Sequence, residues 1–409
     1  MSILHIVGGG LSGLTAALMA HDQGWRDIRL YERTDAIGGV AQSRMAEGHE
    51  IRTGTIYFAD DRDAQLQLLR RYGLNFEPFE NRFGSVSVVK DKDHFQSGFG
   101  SPLVTASDGD IALTPGEMIS LQDRFNRYPA HIAQRLTAMA RWHINADPAT
   151  LDKDVAIPMA MNRVIVADAD IDTMKQLKCH DALYDELYGL PRDAWGYTAN
   201  ATAHLPVGGF PRLFDDMRRV LSNLNIAVCD RSLITPKIAH DLMTRGERVY
   251  WSANPMPLFP HAGMKAPQLQ RADFHVVSLT CAYGLNAPFY IQNFTCDGAI
   301  FRLYAYPTAT ASIVTLECVR PANESDVRLE AKRLVADTPI ADLLTGDVVL
   351  EERQPRWLFH TVETVAALGV LRDHMADRYG AAFVAGGWEQ YAKAAKYAAL
   401  QTALDRIAA

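Results

Sequence analysis

A glycine-rich turn between a short apolar strand and a helix opens the chain and limits its fold more than any other feature. The sequence IVGGGLSGLTAAL at residues 6–18 places Gly8, Gly10 and Gly13 at GxGxxG spacing. The first glycine permits a tight turn, the second lets the backbone approach a pyrophosphate, and the third lets helix and strand pack closely. Glu32 ends the next apolar segment, where an acid can accept hydrogen bonds from an adenosine ribose. This order predicts a Rossmann-like dinucleotide-binding fold.

The helix that follows the glycines should bind an anion. The first N–H groups of a helix lack intrahelical acceptors, and the positive end of the helix dipole favours a diphosphate. We therefore predict that Leu11 and Ser12 in the first turn contact the dinucleotide, together with Arg33 beside the ribose-binding acid.

A second glycine pair, Gly38 and Gly39, comes soon after Glu32 in ERTDAIGGVAQS. In this respect the sequence resembles the glutathione-reductase-like flavoproteins, especially their amine-oxidase and UDP-galactopyranose mutase branches. In those families the backbone passes the cofactor at such a pair. The resemblance implies FAD as the cofactor, in preference to NAD.

The length and element pattern predict an α/β protein of two interleaved domains, because single cores seldom exceed about 250–300 residues. The resemblance implies a Rossmann-like FAD-binding domain with a three-layer ββα arrangement. The other domain is expected to be an α+β substrate domain, with an antiparallel sheet and a helical insert around 110–190. We assign residues 1–75, 205–265 and 370–409 to the FAD-binding domain, and 76–204 and 266–369 to the substrate domain.

The composition limits the classes of partner that the protein is expected to bind. The formal net charge of -7 over 409 residues and the absence of a dense Lys/Arg block argue against nucleic-acid binding. No uncharged apolar stretch is long enough to predict a membrane-spanning helix. The five cysteines lack CxxC spacing, so we expect reduced thiols, no metal site and a cytoplasmic protein. The expected partner is a small-molecule substrate, and a homo-oligomer is left open.

Several later segments are similar to UDP-galactopyranose mutase in order and spacing, among them NFTCDGAIFRLYAYP and the terminal VAGGWEQY. The alanine-rich helix near the C-terminus follows a strand and Gly386-Gly387, so its positive end should face the cofactor. The other predicted cofactor contacts are Gly54, Thr55, Val228, Gly386, Gly387 and Tyr391.

The chain also departs from both branches. Trp388 follows Gly387 where the mutase family has an arginine, which weakens the case for a diphosphate-bearing substrate. In the amine-oxidase branch the first glycine pair is usually followed by arginine, and the next extended segment carries an acid. Val40 and Arg52 stand in those places.

Three residues are candidates for the chemistry. Arg302 lies where the mutase family has the arginine that clamps the nucleotide-sugar diphosphate. Trp388 follows the glycine pair expected beside the flavin, and Glu317 is an acid on an apolar strand, which should have a partner or a raised pKa. Lone histidines such as His204, His275 and His360 are expected to be structural. Aromatic walls are expected from Tyr57, Phe58, Trp195, Tyr304 and Tyr306.

Three functions remain open from the sequence. The leading hypothesis is an amine-oxidase-like, FAD-dependent oxidoreductase that oxidises a small metabolite by hydride transfer to flavin N5. The alternative is a flavin-dependent nucleotide-sugar mutase with no net redox change. The third is a protein in which FAD is structural.

Overall fold

The computed structural model describes residues 3–52, 57–58, 63–80, 82–97, 101–107, 110–189, 202–281, 284–338, 344 and 346–408. The strands are β1 (Leu4–Val7), β2 (Ile28–Tyr31), β3 (Ser43–Ala46), β4 (His49–Arg52), β5 (Phe76–Glu80), β6 (Arg82–Val89), β7 (Lys92–Ser97), β8 (Leu103–Val104), β9 (Ile165–Val166), β10 (Thr202–Pro206), β11 (Ala227–Cys229), β12 (Arg248–Trp251), β13 (Gln270–Thr280), β14 (Phe289–Asn293), β15 (Ile300–Pro307), β16 (Ser312–Cys318), β17 (Val348–Phe359) and β18 (Phe383–Ala385).

The α-helices are α1 (Leu11–Asp22), α2 (Ala64–Arg71), α3 (Leu121–Phe125), α4 (Ala130–Ile144), α5 (Ile171–His180), α6 (Ala182–Leu187), α7 (Gly209–Asn223), α8 (Pro236–Thr244), α9 (Leu258–His261), α10 (Glu324–Val335), α11 (Val362–Tyr379) and α12 (Lys393–Ala408). No helix within the described ranges is long and apolar enough to cross a membrane.

A five-stranded parallel sheet carries the N-terminal motif, with the strand order β11-β2-β1-β12-β18. Side chains of β1 alternate between its faces, as period-2 geometry requires. Leu4 and Ile6 join the hydrophobic core on one face, and Val7 joins the core on the other. A parallel sheet buried on both faces is typical of α/β proteins, so the predicted fold class is confirmed.

Helices cover both faces of this sheet. On one face α1, α2, α7 and α12 contribute to a shared core, and on the other α8, α9 and α11 do so. The family resemblance implied a small β-layer on one face, and the described residues place helices there instead. The segment between β11 and β12 forms α8 because Pro236 lies in its first turn and the hydroxyl of Thr235 caps it.

A seven-stranded sheet forms the second part of the fold, with the order β17-β13-β16-β15-β14-β6-β7. Its pairs are antiparallel except β14 with β6. All seven strands lie within residues 76–204 and 266–369, the segments assigned to the substrate domain with its antiparallel sheet. One face is an apolar core under α10. The opposite face carries polar and aromatic side chains, and it is described below with the site.

The helices α3 to α6 form a separate apolar core that contacts the seven-stranded sheet through Phe274 and Phe301. They fall within the helical insert expected around 110–190. The predicted boundary at residue 205 falls inside β10, and the one at 370 falls inside α11. The division into two domains therefore stays a prediction.

Candidate functional site

A cleft of about 1060 Å³ runs along the carboxyl ends of the parallel strands. Its walls include the segments that follow β1, β2, β11, β12 and β18, together with side chains from α12. Ligands of open α/β sheets bind outside the carboxyl ends of the strands. The volume lies just above the ~300–1,000 Å³ range of small-molecule sites.

The three glycines of the first turn are required for three different reasons. Gly8 has φ +106°, which L side chains rarely adopt. A Cβ at Gly13 would overlap the carbonyl oxygen of Gly8, so close packing of helix and strand excludes one. Gly10 has φ -70° and ψ 173°, open to any residue, and a Cβ there would meet only the Cα of Gly39 at 3.9 Å. Neither backbone strain nor protein packing demands glycine at residue 10, so close approach of a ligand is the remaining reason.

The N-terminus of α1 has no side-chain cap. Gly10 is its N-cap residue, and the first intrahelical bond joins the N–H of Leu14 to the carbonyl of Gly10 at 3.0 Å. Side-chain oxygens cap α2, α3, α5, α6, α8, α10 and α11, whereas α4, α7 and α9 lack such a cap, as α1 does. Leu11 and Ser12 line the cleft beside this uncapped end. The helix therefore offers backbone donors and a partial positive charge to an anion.

Glu32 lines the cleft at the end of β2 and is 9 % exposed. Its Oε2 accepts a hydrogen bond from the N–H of Gly9 at 3.0 Å. Its Oε1 accepts bonds from the N–H and hydroxyl of Thr34 at 2.9 and 2.8 Å. A carboxylate has about four acceptor positions, so these bonds fix its orientation and leave about one position on Oε2 for a ligand hydroxyl.

The opposite end of the cleft lies after β18. Gly386 donates its N–H to the carbonyl of Trp251 at 3.0 Å, and the indole N–H of Trp388 donates to the same carbonyl at 2.9 Å. A Cβ at Gly386 would come within 2.7 Å of that oxygen. Trp388 is thus fixed against β12, and it lines the cleft with Gly386 and Gly387.

His360, between β17 and α11, also lines this end. Its Nε2 lies 3.0 Å from the carbonyl of Trp388, which can only accept, so Nε2 carries the proton. Its backbone N–H donates to the hydroxyl of Tyr391 at 2.6 Å. Burial lowers the pKa of His360, and the positive charge of Lys396 adds to this effect. The imidazole is therefore held neutral beside the cleft.

The helix expected directly after Gly387 begins only at Lys393. Turn contacts cause the delay: Trp388 N–H bonds to the Gly386 carbonyl at 2.8 Å, and Gln390 N–H to that of Gly387 at 3.3 Å. The glycine pair thus does not cap α12. Lys393 and Lys396, in the first turn of this helix, line the cleft instead.

The polar face of the seven-stranded sheet centres on a buried ion pair. Arg302 and Glu317 are 8 % and 0 % exposed, and Nε of Arg302 donates to Oε2 of Glu317 at 2.5 Å. Its Nη1 donates to the Tyr290 hydroxyl at 2.8 Å, and the guanidinium carbon lies within 6 Å of the rings of Tyr290, Tyr304 and Trp357. Burial alone would lower the pKa of Arg302, but Glu317 raises it above its ordinary value. The two charges therefore neutralise each other.

Two tyrosines continue this face towards β4. The hydroxyl of Tyr304 donates to the carbonyl of Arg52 at 2.9 Å, and that of Tyr306 accepts from the Arg52 N–H at 2.8 Å. The guanidinium of Arg52 lies 4.9 Å from the centre of the Tyr306 ring. The hydroxyls of both tyrosines are thus used to hold β4 against the sheet.

The predicted site residues separate into three sets. The cleft lining includes Gly8, Gly10, Leu11, Ser12, Glu32, Arg33, Gly39, Gly386, Gly387 and Trp388. Residues placed outside that lining are Gly13, Gly38, Val228, Tyr391, Arg302 and Glu317. Gly54, Thr55 and Trp195 lie outside the described residues.

The cleft also has walls that the sequence analysis did not assign to the cofactor or to the chemistry. These are the segments 232–236 after β11 and 252–257 after β12, with Gln65, His360, Lys393, Lys396 and Tyr397. Two of them follow parallel strands directly, so the rule that ligands bind at carboxyl strand ends gives a signal for them. Val228, inside β11, packs into the core beneath α7.

Burial disfavours thiolate chemistry at three of the five cysteines. All five cysteines are free. Burial raises the pKa of Cys281 and Cys318 to about 12 and that of Cys296 to about 11, which disfavours a nucleophilic thiolate. Within the described part of the chain, no group of three or more His, Cys, Asp or Glu side chains is placed to hold a metal ion.

The parallel sheet, its glycine turn and the cleft define a Rossmann-like α/β fold. Residues 6–72 match the family model of the NAD(P)-binding Rossmann-like domain. A sequence search of curated proteins finds no match.

Solved structures share the fold across the whole chain. Reduced UDP-galactopyranose mutase is similar with a TM-score of 0.66 and 14% identity, covering 100% of this chain and 95% of the other. A putative protoporphyrinogen oxidase from Exiguobacterium sp. 255-15 gives 0.61 and 13%, covering 100% and 98%. Cyclohexylamine oxidase from Brevibacterium oxydans IH-35A gives 0.54 and 13%, covering 100% and 98%. At these identities the similarity establishes the fold alone.

Proposed function

We propose that the chain is an FAD-dependent oxidoreductase that acts on a small molecule. One observation carries the cofactor assignment. The backbone conformation and packing at residue 10 would accept a side chain, yet the residue is glycine, and the lack of a side chain leaves space in the cleft beside the uncapped N-terminus of α1. A diphosphate is the ligand group that fits this position. The similar solved structures include a putative protoporphyrinogen oxidase and a cyclohexylamine oxidase, which is consistent with the proposal.

The residues that would hold FAD lie in order across the sheet. Glu32 offers one acceptor position to a ribose hydroxyl at the β2 end, and the first turn of α1 offers N–H donors to the diphosphate. Gly387 and Trp388 line the far end of the cleft, after β18. When bound there, FAD accepts a hydride from the substrate. The protein binds and orients the two reactants and excludes water.

The ion pair on the seven-stranded sheet favours oxidation over nucleotide-sugar isomerisation. A diphosphate bound at this face would need a free cation there, and the guanidinium of Arg302 is already occupied by Glu317 and Tyr290. Glu317 is likewise paired, so it is a positioning residue for Arg302 in this proposal. Trp357, a half-buried aromatic side chain beside the pair, suits a flat or apolar substrate.

The alternative is a flavin-dependent nucleotide-sugar mutase. The position of Arg302 after the NFT stretch favours this reading through the resemblance described above. For this activity the Arg302–Glu317 pair would have to open when substrate binds, so that the guanidinium reaches a diphosphate.

Anaerobic mixing separates the two proposals. Purified protein that contains FAD is mixed with candidate amines, alcohols and unsaturated precursors while flavin absorbance is recorded. Loss of absorbance at about one equivalent of substrate is the expected result for an oxidoreductase. Conversion of a nucleotide sugar only after reduction with dithionite, with no net redox change, would contradict oxidation and support the mutase.

A further inference from the structure

The cleft is electrostatically asymmetric. Among its described lining residues Glu32 is the one carboxylate, and it lies beside Arg33 at the β2 end. The other charged lining residues are Lys393 and Lys396 on α12. The cleft therefore has one charge of each sign at the β2 end and two cations on the wall formed by α12.

Lys396 acts at the far end of the cleft, after β18. A Cβ built on Gly387 would lie 3.5 Å from the Cα of Lys396 and 3.6 Å from its Cγ, so the stem of the lysine runs past this glycine. Its positive charge also reaches His360, whose pKa it lowers in addition to the larger effect of burial. The Nε2 atom of His360 in turn contacts the carbonyl of Trp388. Gly387 and His360 thus both place Lys396 at this end of the cleft.

No counter-ion accompanies this charge in the part of the chain that the structure describes. Lys396 forms no ion pair and no side-chain hydrogen bond there. Its neighbour Lys393 donates to the Tyr57 carbonyl at 3.2 Å and lies 5.6 Å from the centre of the Phe58 ring. Burial lowers the pKa of both lysines. A cation partly withdrawn from water and lacking an anion is stabilised when negative charge forms beside it.

The orientation of the cofactor decides which group lies beside Lys396. Glu32 sets the adenosine end at β2, and β18 lies three strands further along the sheet, a distance of about 14 Å at the usual strand spacing. An extended dinucleotide bound in this direction places its redox ring, rather than its diphosphate, at the β18 end. Reduction adds negative charge to that ring.

We propose that Lys396 stabilises the reduced form of bound FAD over the oxidised form and so raises the midpoint potential of the cofactor. This inference rests on FAD binding as proposed above. In this proposal the positive charge of Lys396 lies near the redox ring, and a nearby charge is one way in which a protein tunes the electronics of a cofactor.

The test compares midpoint potentials of the FAD-loaded protein by spectroelectrochemistry. Lys396→Met should lose about tenfold in the preference for reduced over oxidised FAD, which for a two-electron couple is a fall of about 30 mV. Lys396→Arg keeps the charge and should retain most of the potential. Lys332→Met, the same change at an exposed position of α10, should leave the potential unchanged. The affinity of the FAD-free protein for ADP should be equal in wild type and Lys396→Met.

Each contrary outcome has a distinct meaning. Stoichiometric FAD with an unchanged potential in Lys396→Met overturns the inference and leaves the proposed function intact. Loss of ADP affinity in that variant would assign Lys396 to the diphosphate and also overturns it. An unchanged potential with a raised KM for an acidic substrate would assign the lysine to substrate binding, against the inference. Wild-type protein that binds no FAD contradicts the proposed function itself.

Discussion

Two regions of the molecule hold polar groups inside the protein: the cleft along the parallel sheet and the polar face of the seven-stranded sheet. They differ in how far the protein itself supplies the hydrogen-bond and charge partners of those groups. In the cleft, the first turn of α1 has no cap, Glu32 keeps an acceptor position, and Lys396 has no counter-ion among the described residues. On the sheet face, Arg302 and Glu317 neutralise each other and Tyr290 completes the bonding of the guanidinium. The first region is prepared for a ligand, whereas the second is largely satisfied by the protein itself.

This difference separates two kinds of evidence for function. A buried pair such as Arg302 and Glu317 contributes to a defined internal structure whether or not substrate is present. Unsatisfied donors beside a side-chain-free backbone at Gly10 have no such internal purpose. The cofactor site therefore follows more directly from the geometry than the substrate site does.

The largest expected effect comes from breaking the ion pair on the polar face of the seven-stranded sheet. Arg302→Met leaves Glu317 charged and buried, so the free energy of unfolding should fall by about 3–5 kcal/mol. The double variant Arg302→Met/Glu317→Gln removes both charges and should recover much of the loss. Urea denaturation of the three proteins measures this. Equal stability of the single and double variants would show that the pair is not the source of the effect.

Filling the cleft should instead remove the ligand and spare the fold. Gly10→Val places its branched side chain where the backbone is to approach the diphosphate, so FAD affinity should fall at least about 100-fold, or about 2.7 kcal/mol. Gly369→Val on α11 is the matched control, because a Cβ there meets only the Nη2 of Arg372 at 3.8 Å. Flavin content after gel filtration and the thermal melting temperature are measured together. Full FAD content in Gly10→Val would refute this placement of the cofactor.

A smaller expected effect is the pH dependence of folding stability that Lys393 causes at the cleft. Burial lowers the pKa of Lys393 to about 8 in the folded protein, below its unfolded value of ~10.4; the charge of Asp63 opposes this shift, and that of Lys396 adds to it. Below pH 8 both states are protonated and the cost of withdrawing the cation from water is present in full. Between about pH 8 and 10 the folded state loses the proton first, so stability rises with pH.

Cofactor-free Lys393→Met should therefore melt at a higher temperature than wild type at pH 7, and the difference should shrink towards pH 10. Melting curves of both proteins across this range measure the difference. A constant difference would mean that Lys393 does not titrate there.

The local sequence was sufficient to predict where the residues of the first glycine turn lie. Gly8, Gly10 and Glu32 act within one β-α-β unit, so their spacing alone predicts their places. The start of α12 was missed because backbone turns after Gly386 delay it to Lys393. Spacing could not reveal that Glu317 pairs with Arg302, which depends on the register of β15 and β16. His360 reaches the cleft only through the packing of α11 and Trp388.

A crystal structure of the protein grown with FAD tests the central claim most directly. The expected electron density places a ribose hydroxyl at Oε2 of Glu32, the diphosphate at the first turn of α1, and the flavin ring beside Trp388 and Lys396. Density for FAD in another part of the molecule, or a cleft closed by protein atoms with FAD excluded, would contradict it.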